Sequence, residues 1–236
     1  PSSGYKLDIS GNLNTTADSY INGLTIGKGG GNVDTNTTIG NFSLSRNTTG
    51  SYNSAFGRSS LQSNTIGSSN VAIGYETLFS SVSGINSTAV GYQALRSSTT
   101  GYNSAFGYRA LYLNTTGVDN TAIGNQALRF NTIGKQNTVV GSAALFSNTT
   151  GDSNSAFGYT SLYANTIGVE NTAIGRVSLR FNTTGSYNTA VGRGSLYTNV
   201  VGSANVAVGV NALFYAVGSN NTAVGTNALF NNTANN

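Results

Sequence analysis

The feature that most constrains this chain is a glycine that returns at a fixed interval. A short apolar triplet is closed by Gly40, Gly57, Gly74, Gly91, Gly107, Gly124, Gly141, Gly158, Gly175, Gly192, Gly209 and Gly225, with nine gaps of 17 residues and two of 16. A second glycine follows each of these but the last by ten residues (nine once), from Gly50 through Gly67 and Gly101 to Gly218. The unit reads N-[ST]-A-[IVF]-G-x-x-[AS]-L-x-x-N-T-[TI]-G-x-x, and both short gaps delete a residue at a variable position. A unit this short cannot bury a core alone and must stack on its neighbours. Seventeen residues suit one coil of a β-solenoid, with two or three short strands and glycine at corners that need positive φ or close backbone approach. Thr, Asn, Gly and β-branched residues dominate, and no 3.6-residue period persists for two turns, which argues against a helical repeat.

Rows taken across the units separate inside from outside. The residue four past each closing glycine is always leucine, including Leu95, Leu111, Leu128 and Leu145. The residue before the glycine is always Ile, Val or Phe, as in Phe106, Ile123 and Val140, and the one before that is Ala in ten of twelve units. No charge enters these rows. They are expected to form the packed interior, with coils about 4.8 Å apart along a rod on the order of 50–60 Å long. Within each triplet, Phe56, Phe106 and Phe157 are paired with the small Ser54, Ser104 and Ser155, whereas Val or Ile is paired with Thr or Val. Large against small is what close packing requires. The strict rows also argue against disorder, which the Gly, Ser, Asn and Thr content would otherwise suggest.

Four residues before the glycine stands asparagine in eleven of twelve units, with Ser87 the exception. Asn103, Asn120, Asn137 and Asn154 are expected to form a ladder in which each amide bonds its copy in the next coil; a glycan-binding amide array is the competing reading. The N-T-T sequons at Asn47, Asn114, Asn148 and Asn182 read as turn residues that also match an N-glycosylation acceptor.

Composition removes most chemistry. His, Cys, Met and Trp are absent and charged residues make up 8%, against roughly 25% in an ordinary soluble domain. Without His or Cys there is no Ser-His-Asp triad, no thiol nucleophile and no usual zinc site. The net charge of +4 comes from 11 basic and 7 acidic residues spread singly, which does not make a nucleic-acid patch. No apolar run approaches a membrane span of about 18 residues. Gly29–Gly30–Gly31 lacks the Lys-Ser/Thr of a phosphate loop and reads as a lead-in turn. The array's four acids, Glu76, Asp119, Asp152 and Glu170, lie on different coils, against a repeated calcium motif or a glycosidase pair. No catalytic residue, metal site, cofactor or enzymatic activity is expected.

The run N-T-A-I-G-x-x-A-L at 120–128 and its copies resemble the head repeats of trimeric autotransporter adhesins of the YadA type. They are more similar still to repeat arrays of bacteriophage tail fibres and related bacterial surface fibres. The segment G-L-T-I-G-K-G-G-G-N at 23–32 is similar to the lead-in before such arrays, and the likeness covers residues 23–230. It implies a left-handed parallel β-roll, three chains about one axis and an extracellular location. The chain departs from the adhesin coil by its 17-residue length and by Thr in place of Val.

The expected architecture is therefore an all-β parallel β-solenoid of about twelve coils, a left-handed β-roll assembled as a homotrimeric fibre, with a lead-in over 1–35, the array over 36–230 and a tail over 231–236. Function is expected at the six variable positions of each coil. The row just after the closing glycine, with Tyr75, Tyr92, Tyr108, Tyr159, Arg176 and Arg193, is a candidate stripe for cell-surface carbohydrate or protein. The rows after the leucine, with Arg129–Phe130 and Arg180–Phe181, supply a second set of aromatics that either binds or fills crevices between chains. Three roles follow: a fibre segment that recognises a host surface, a structural spacer, or an ice-binding solenoid suggested by the Thr row from Thr48 to Thr183, which Val82 interrupts. Partners other than further copies and such a surface ligand, including nucleic acid and membrane, are not expected.

Overall fold

The computed structural model describes residues 18–21 and 24–232. Two short strands, β1 (Ser19–Ile21) and β2 (Leu24–Gly27), pair antiparallel and lead into β3 (Thr37–Ile39). From β3 to β14 (Thr222–Val224), twelve three-residue strands pair in parallel and in chain order, so eleven turns of a β-solenoid separate the first from the last. Each residue faces its copy 17 further on, as Thr121 faces Thr138 and Ile123 faces Val140. At two steps the offset is 16, Thr88 to Ser104 and Val206 to Thr222, and the register is unchanged. Both deletions are therefore absorbed in the connecting turns.

One strand per coil, rather than two or three, is the first correction to the sequence reading. Elsewhere the coil repeatedly enters the left-handed region: Arg109, Leu111 and Asp119 have φ of 51°, 51° and 58°, and their copies behave alike. Such residues end an extended run, yet the backbone still bonds from coil to coil. Leu111 N–H donates to Ala127 O at 3.0 Å, Leu113 N–H to Arg129 O at 3.0 Å and Thr115 N–H to Thr132 O at 2.8 Å. A leucine in this conformation costs about 1 kcal/mol. Complete burial of its side chain returns about 2 kcal/mol, so the row is tolerated in every coil.

The interior holds the leucine row, with Leu95, Leu111, Leu128 and Leu145 wholly buried, and the central alanine of each strand, as in Ala105 and Ala122. Phe106 and Ile123, expected inside, are 39% and 41% exposed, and Val140 is partly exposed. Side chains alternate along a strand, so a three-residue strand sends one residue in and two out. The narrow interior takes the alanine, and the large apolar residue lies with its Ser or Thr companion on the outer face of the sheet. At the far end Leu229 is 45% exposed. At the near end the Gly29–Gly31 turn covers the first coil, with Gly30 N–H donating to Leu44 O at 2.9 Å.

The two glycine rows are required for different reasons. Gly124 has φ of +136°, and a Cβ there would meet Gly141 O at 2.6 Å. Gly134 needs no unusual φ, but a Cβ would lie 2.4 Å from Asn131 Oδ1 and 2.5 Å from Gly151 O. Gly134→Ala is expected to lower unfolding stability by about 2 kcal/mol, because neither the amide nor the stacked backbone has room to move. Urea unfolding of the variant checks this, and an unchanged midpoint would contradict it.

Candidate functional site

The asparagine row before the strands is interior. Asn103, Asn120, Asn137 and Asn154 are buried. Asn120 illustrates the rung: its backbone N–H and its Nδ2 donate to Asn103 Oδ1 at 3.1 and 3.2 Å, and Nδ2 also donates to Gly134 O at 2.9 Å. Asn137 and Asn154 repeat the pattern on the coil before each. Amides so engaged are not presented to a glycan.

A second interior ladder was not foreseen. The sequon asparagines Asn114, Asn148 and Asn182 are wholly buried, and Asn47 nearly so, which leaves no room for a glycan on the folded chain. Asn131 Nδ2 donates to Asn114 Oδ1 at 2.7 Å and to Gly134 O at 2.9 Å. Both ladders therefore converge on one glycine carbonyl, which explains why that glycine tolerates no side chain. The available signal was that asparagine recurs at this one fixed position in nine of twelve units, against eleven of twelve in the row assigned to the first ladder. Where Ser81 replaces it, Asn64 Oδ1 and Ser81 Oγ are buried without partners, and Asn199 Oδ1 is likewise orphaned beneath Ala216.

The outer rows carry the accessible chemistry. In the row after the closing glycine, Tyr75, Tyr92 and Tyr108 form a stack, with ring centroids 5.2 and 5.5 Å apart and planes within 12°. Arg109 lies 5.9 Å from the Tyr92 centroid and 5.2 Å from that of Tyr108. Tyr159, 54% exposed, stands three coils further on, and Arg176 and Arg193 follow it in the next two coils. The six candidates thus share one line along the rod but form two groups separated by Asn125 and Ser142.

Separating the two positions after the leucine reveals a further row. The first of them is aromatic or arginine in ten consecutive coils: Phe79, Arg96, Tyr112, Arg129, Phe146, Tyr163, Arg180, Tyr197, Phe214 and Phe230, all half-buried. Stacked pairs alternate with cation–π contacts. Phe146 and Tyr163 lie 5.1 Å apart and Tyr197 and Phe214 4.6 Å apart, while Arg129 sits 6.0 Å from the Tyr112 centroid and 5.8 Å from that of Phe146. Such contacts add about 0.5–1.5 kcal/mol each, so the row braces the corner of the rod.

One carboxylate is built into this corner. Glu76 Oε2 accepts from Arg96 Nε at 2.6 Å and from Gln93 Nε2 at 2.9 Å. Burial alone would raise the Glu76 pKa, but the hydrogen bonds from Arg96, Gln93 and Tyr75 outweigh it and hold the carboxyl below its ordinary value. The same bond to Glu76 raises the Tyr75 hydroxyl. The threonines of the proposed ice-binding row are also engaged: Thr115 Oγ1 donates to Thr132 O at 2.9 Å and Thr183 Oγ1 to Val200 O at 3.0 Å. Any residue supplies a carbonyl, so a valine can follow a threonine in that row. Among the described residues no group of three His, Cys, Asp or Glu side chains is placed to hold a metal ion, and no helix is long and apolar enough to cross a membrane.

Ser81→Asn is expected to supply the missing amide to Asn64 and raise unfolding stability by about 1 kcal/mol in urea titration; no gain would contradict the ladder. Glu76→Gln is expected to cost about 1 kcal/mol at neutral pH, a figure reduced for solvent screening. A carboxyl whose folded pKa is depressed stabilises above its unfolded pKa, about 4.3 for glutamate, and loses that contribution as pH falls through the folded value. The gap between wild type and Glu76→Gln should therefore close on acidification, and a gap that widens would reverse the assignment. No family profile, characterised protein or solved structure matches this chain.

Proposed function

We propose that the chain is a rod segment of an extracellular fibre, a phage tail fibre or bacterial surface fibre, in which three copies pack about one axis and contribute to recognition of a host surface. The observation that carries this reading is the bare outer face of the sheet. Parallel sheets are ordinarily covered on both faces. Here the inner face meets the leucine row, whereas the outer one presents Ile73, Phe106, Ile123, Phe157, Ile174 and Val208, each 37–42% exposed, in a single line. No charge interrupts that face across the twelve parallel strands. The pairing of Phe with Ser and of Ile with Thr or Val falls on this same face, where shape matters only if something packs against it. A repeat whose register is unchanged along the array presents a similar patch in each coil, which suits association about an axis parallel to the rod.

Within that assembly the Tyr/Arg line is the surface for a cell-surface carbohydrate or protein. A second reading, a spacer with recognition carried elsewhere, is favoured by one detail. The stacked Tyr75, Tyr92 and Tyr108 cover one another's faces and leave edges and hydroxyls for a ligand. Ice binding is disfavoured, because the threonine hydroxyl protons are donated to backbone carbonyls.

Light scattering is expected to give a mass about three times that of the 24.2 kDa chain. Ile123→Lys together with Ile174→Lys should dissociate the assembly while leaving the far-ultraviolet circular dichroism intact; a single-chain mass for the wild type would overturn the trimer. Whole-cell binding that is lost on replacing Tyr92, Tyr108 and Tyr159 with Ala would favour recognition, and no binding by the wild type would favour the spacer.

A further inference from the structure

From residue 171 to residue 236 the chain has three arginines and no acid. All three, Arg176, Arg180 and Arg193, line one groove of about 310 Å³ together with Tyr197, Asn211 and Phe214. The repeat explains why they meet. Arg176 and Arg193 hold the same position in consecutive coils and so start about 4.8 Å apart. Arg180 belongs to the aromatic and arginine row, in which Tyr197 and Phe214 are its next two copies.

One wall of the groove depends on Gly194. Two residues past the closing glycine, every other coil of the array carries a side chain, such as Gln93, Arg109 or Asn211. Gly194 carries none, and a Cβ there would come 2.8 Å from Asn211 Oδ1 and 3.1 Å from Phe214 Cε2. Its lack of a side chain lets Asn211 and Phe214 close in beside the arginines as one wall of the groove.

Arg180 lacks the counter-charge that its copy has. Arg96, equivalent to Arg180, bonds Glu76 through Nε at 2.6 Å. The residue equivalent to Glu76 for Arg180 is the uncharged Thr160, and Arg180 Nε is buried without an acceptor, as is Thr160 Oγ1. The ion pairs among the described residues are Lys28–Asp34 and Arg96–Glu76, so none involves this cluster. Three unpaired guanidinium groups repel one another and favour an anion, which arginine binds in a bidentate fork when it is planar.

We propose that this groove binds an acidic sugar unit, carboxylated or sulfated, with its anionic group on Arg176, Arg180 and Arg193. The Tyr197 and Phe214 rings, stacked on each other within 11°, line the groove and leave their edges as its apolar part, and the Asn211 amide lines it with them for a hydroxyl. The volume is at the lower end of ligand sites, which suits one such unit. A nucleic-acid strand would need several phosphate contacts spread along its length, whereas these arginines line one small groove. The inference rests neither on trimer assembly nor on the tyrosine stack.

The test is titration of the full chain with glucuronic acid, glucose and sodium sulfate, read by saturation-transfer NMR. Glucuronic acid is expected to bind, glucose to bind at least about tenfold more weakly, and added salt to weaken the complex. Arg176→Ala with Arg193→Ala should lower the affinity about tenfold, as should Gly194→Gln, which displaces that wall of the groove; circular dichroism identifies any variant that fails to fold. Tyr92→Ala with Tyr108→Ala should leave this binding unchanged, so its failure and that of the tyrosine surface are distinguishable. Equal binding of glucose, no binding of glucuronic acid, or full binding by both groove variants would overturn the proposal. Sulfate binding as tightly as glucuronic acid would overturn the sugar assignment and leave a simple anion site.

Discussion

Everything else in this rod depends on one shared acceptor, the carbonyl of the second glycine in each coil. Two asparagine amides reach it from different sides, as Asn120 and Asn131 reach Gly134 O, each at 2.9 Å. Because the amide of one coil also bonds the oxygen of the neighbouring coil, the first row runs the length of the array as a hydrogen-bonded ladder and the second runs unbroken from Asn114 to Asn199. A buried amide without partners costs about 1–3 kcal/mol, so a coil that slips by one residue loses several bonds together. Register is thereby tied to side chains as well as to the three-residue strands, which alone would specify little.

This arrangement accounts for the plain composition. A coil of 17 residues encloses too little volume for several large side chains. Its inside is filled by one leucine, one alanine, two compact amides and a glycine, with small residues at the turns. The positions left over face solvent or the outer sheet surface. Low charge follows from the same economy, since a charge in any stacked row would lie about 4.8 Å from its own copy in the coils above and below.

Much of this was legible in the sequence because repetition turns one chain into its own alignment. The period, the one-coil unit, the buried leucines and the first asparagine ladder follow from rows that vary at most once. What was not legible was facing. Phe106 and Ile123 look like core residues by hydrophobicity, and only the length of the strand shows that Ala105 and Ala122 take the inside. The second ladder was hidden in turn chemistry, because Asn-Thr-Thr-Gly is what an exposed turn also uses. The groove at Arg176, Arg180 and Arg193 needed both the register and the single missing side chain at Gly194. A pooled count of variable positions does not show that.

A solenoid of this kind has its sequence variety confined to a few outward rows while the interior stays nearly constant. The central claim is that both asparagine rows are locked, buried amides. Hydrogen exchange of the asparagine side-chain amides, followed by NMR on the folded chain, tests it most directly. The account predicts that the amides of Asn114, Asn131 and Asn148 exchange as slowly as those of Asn120, Asn137 and Asn154. Rapid exchange of either row, at the rate of the exposed Asn125, would contradict it.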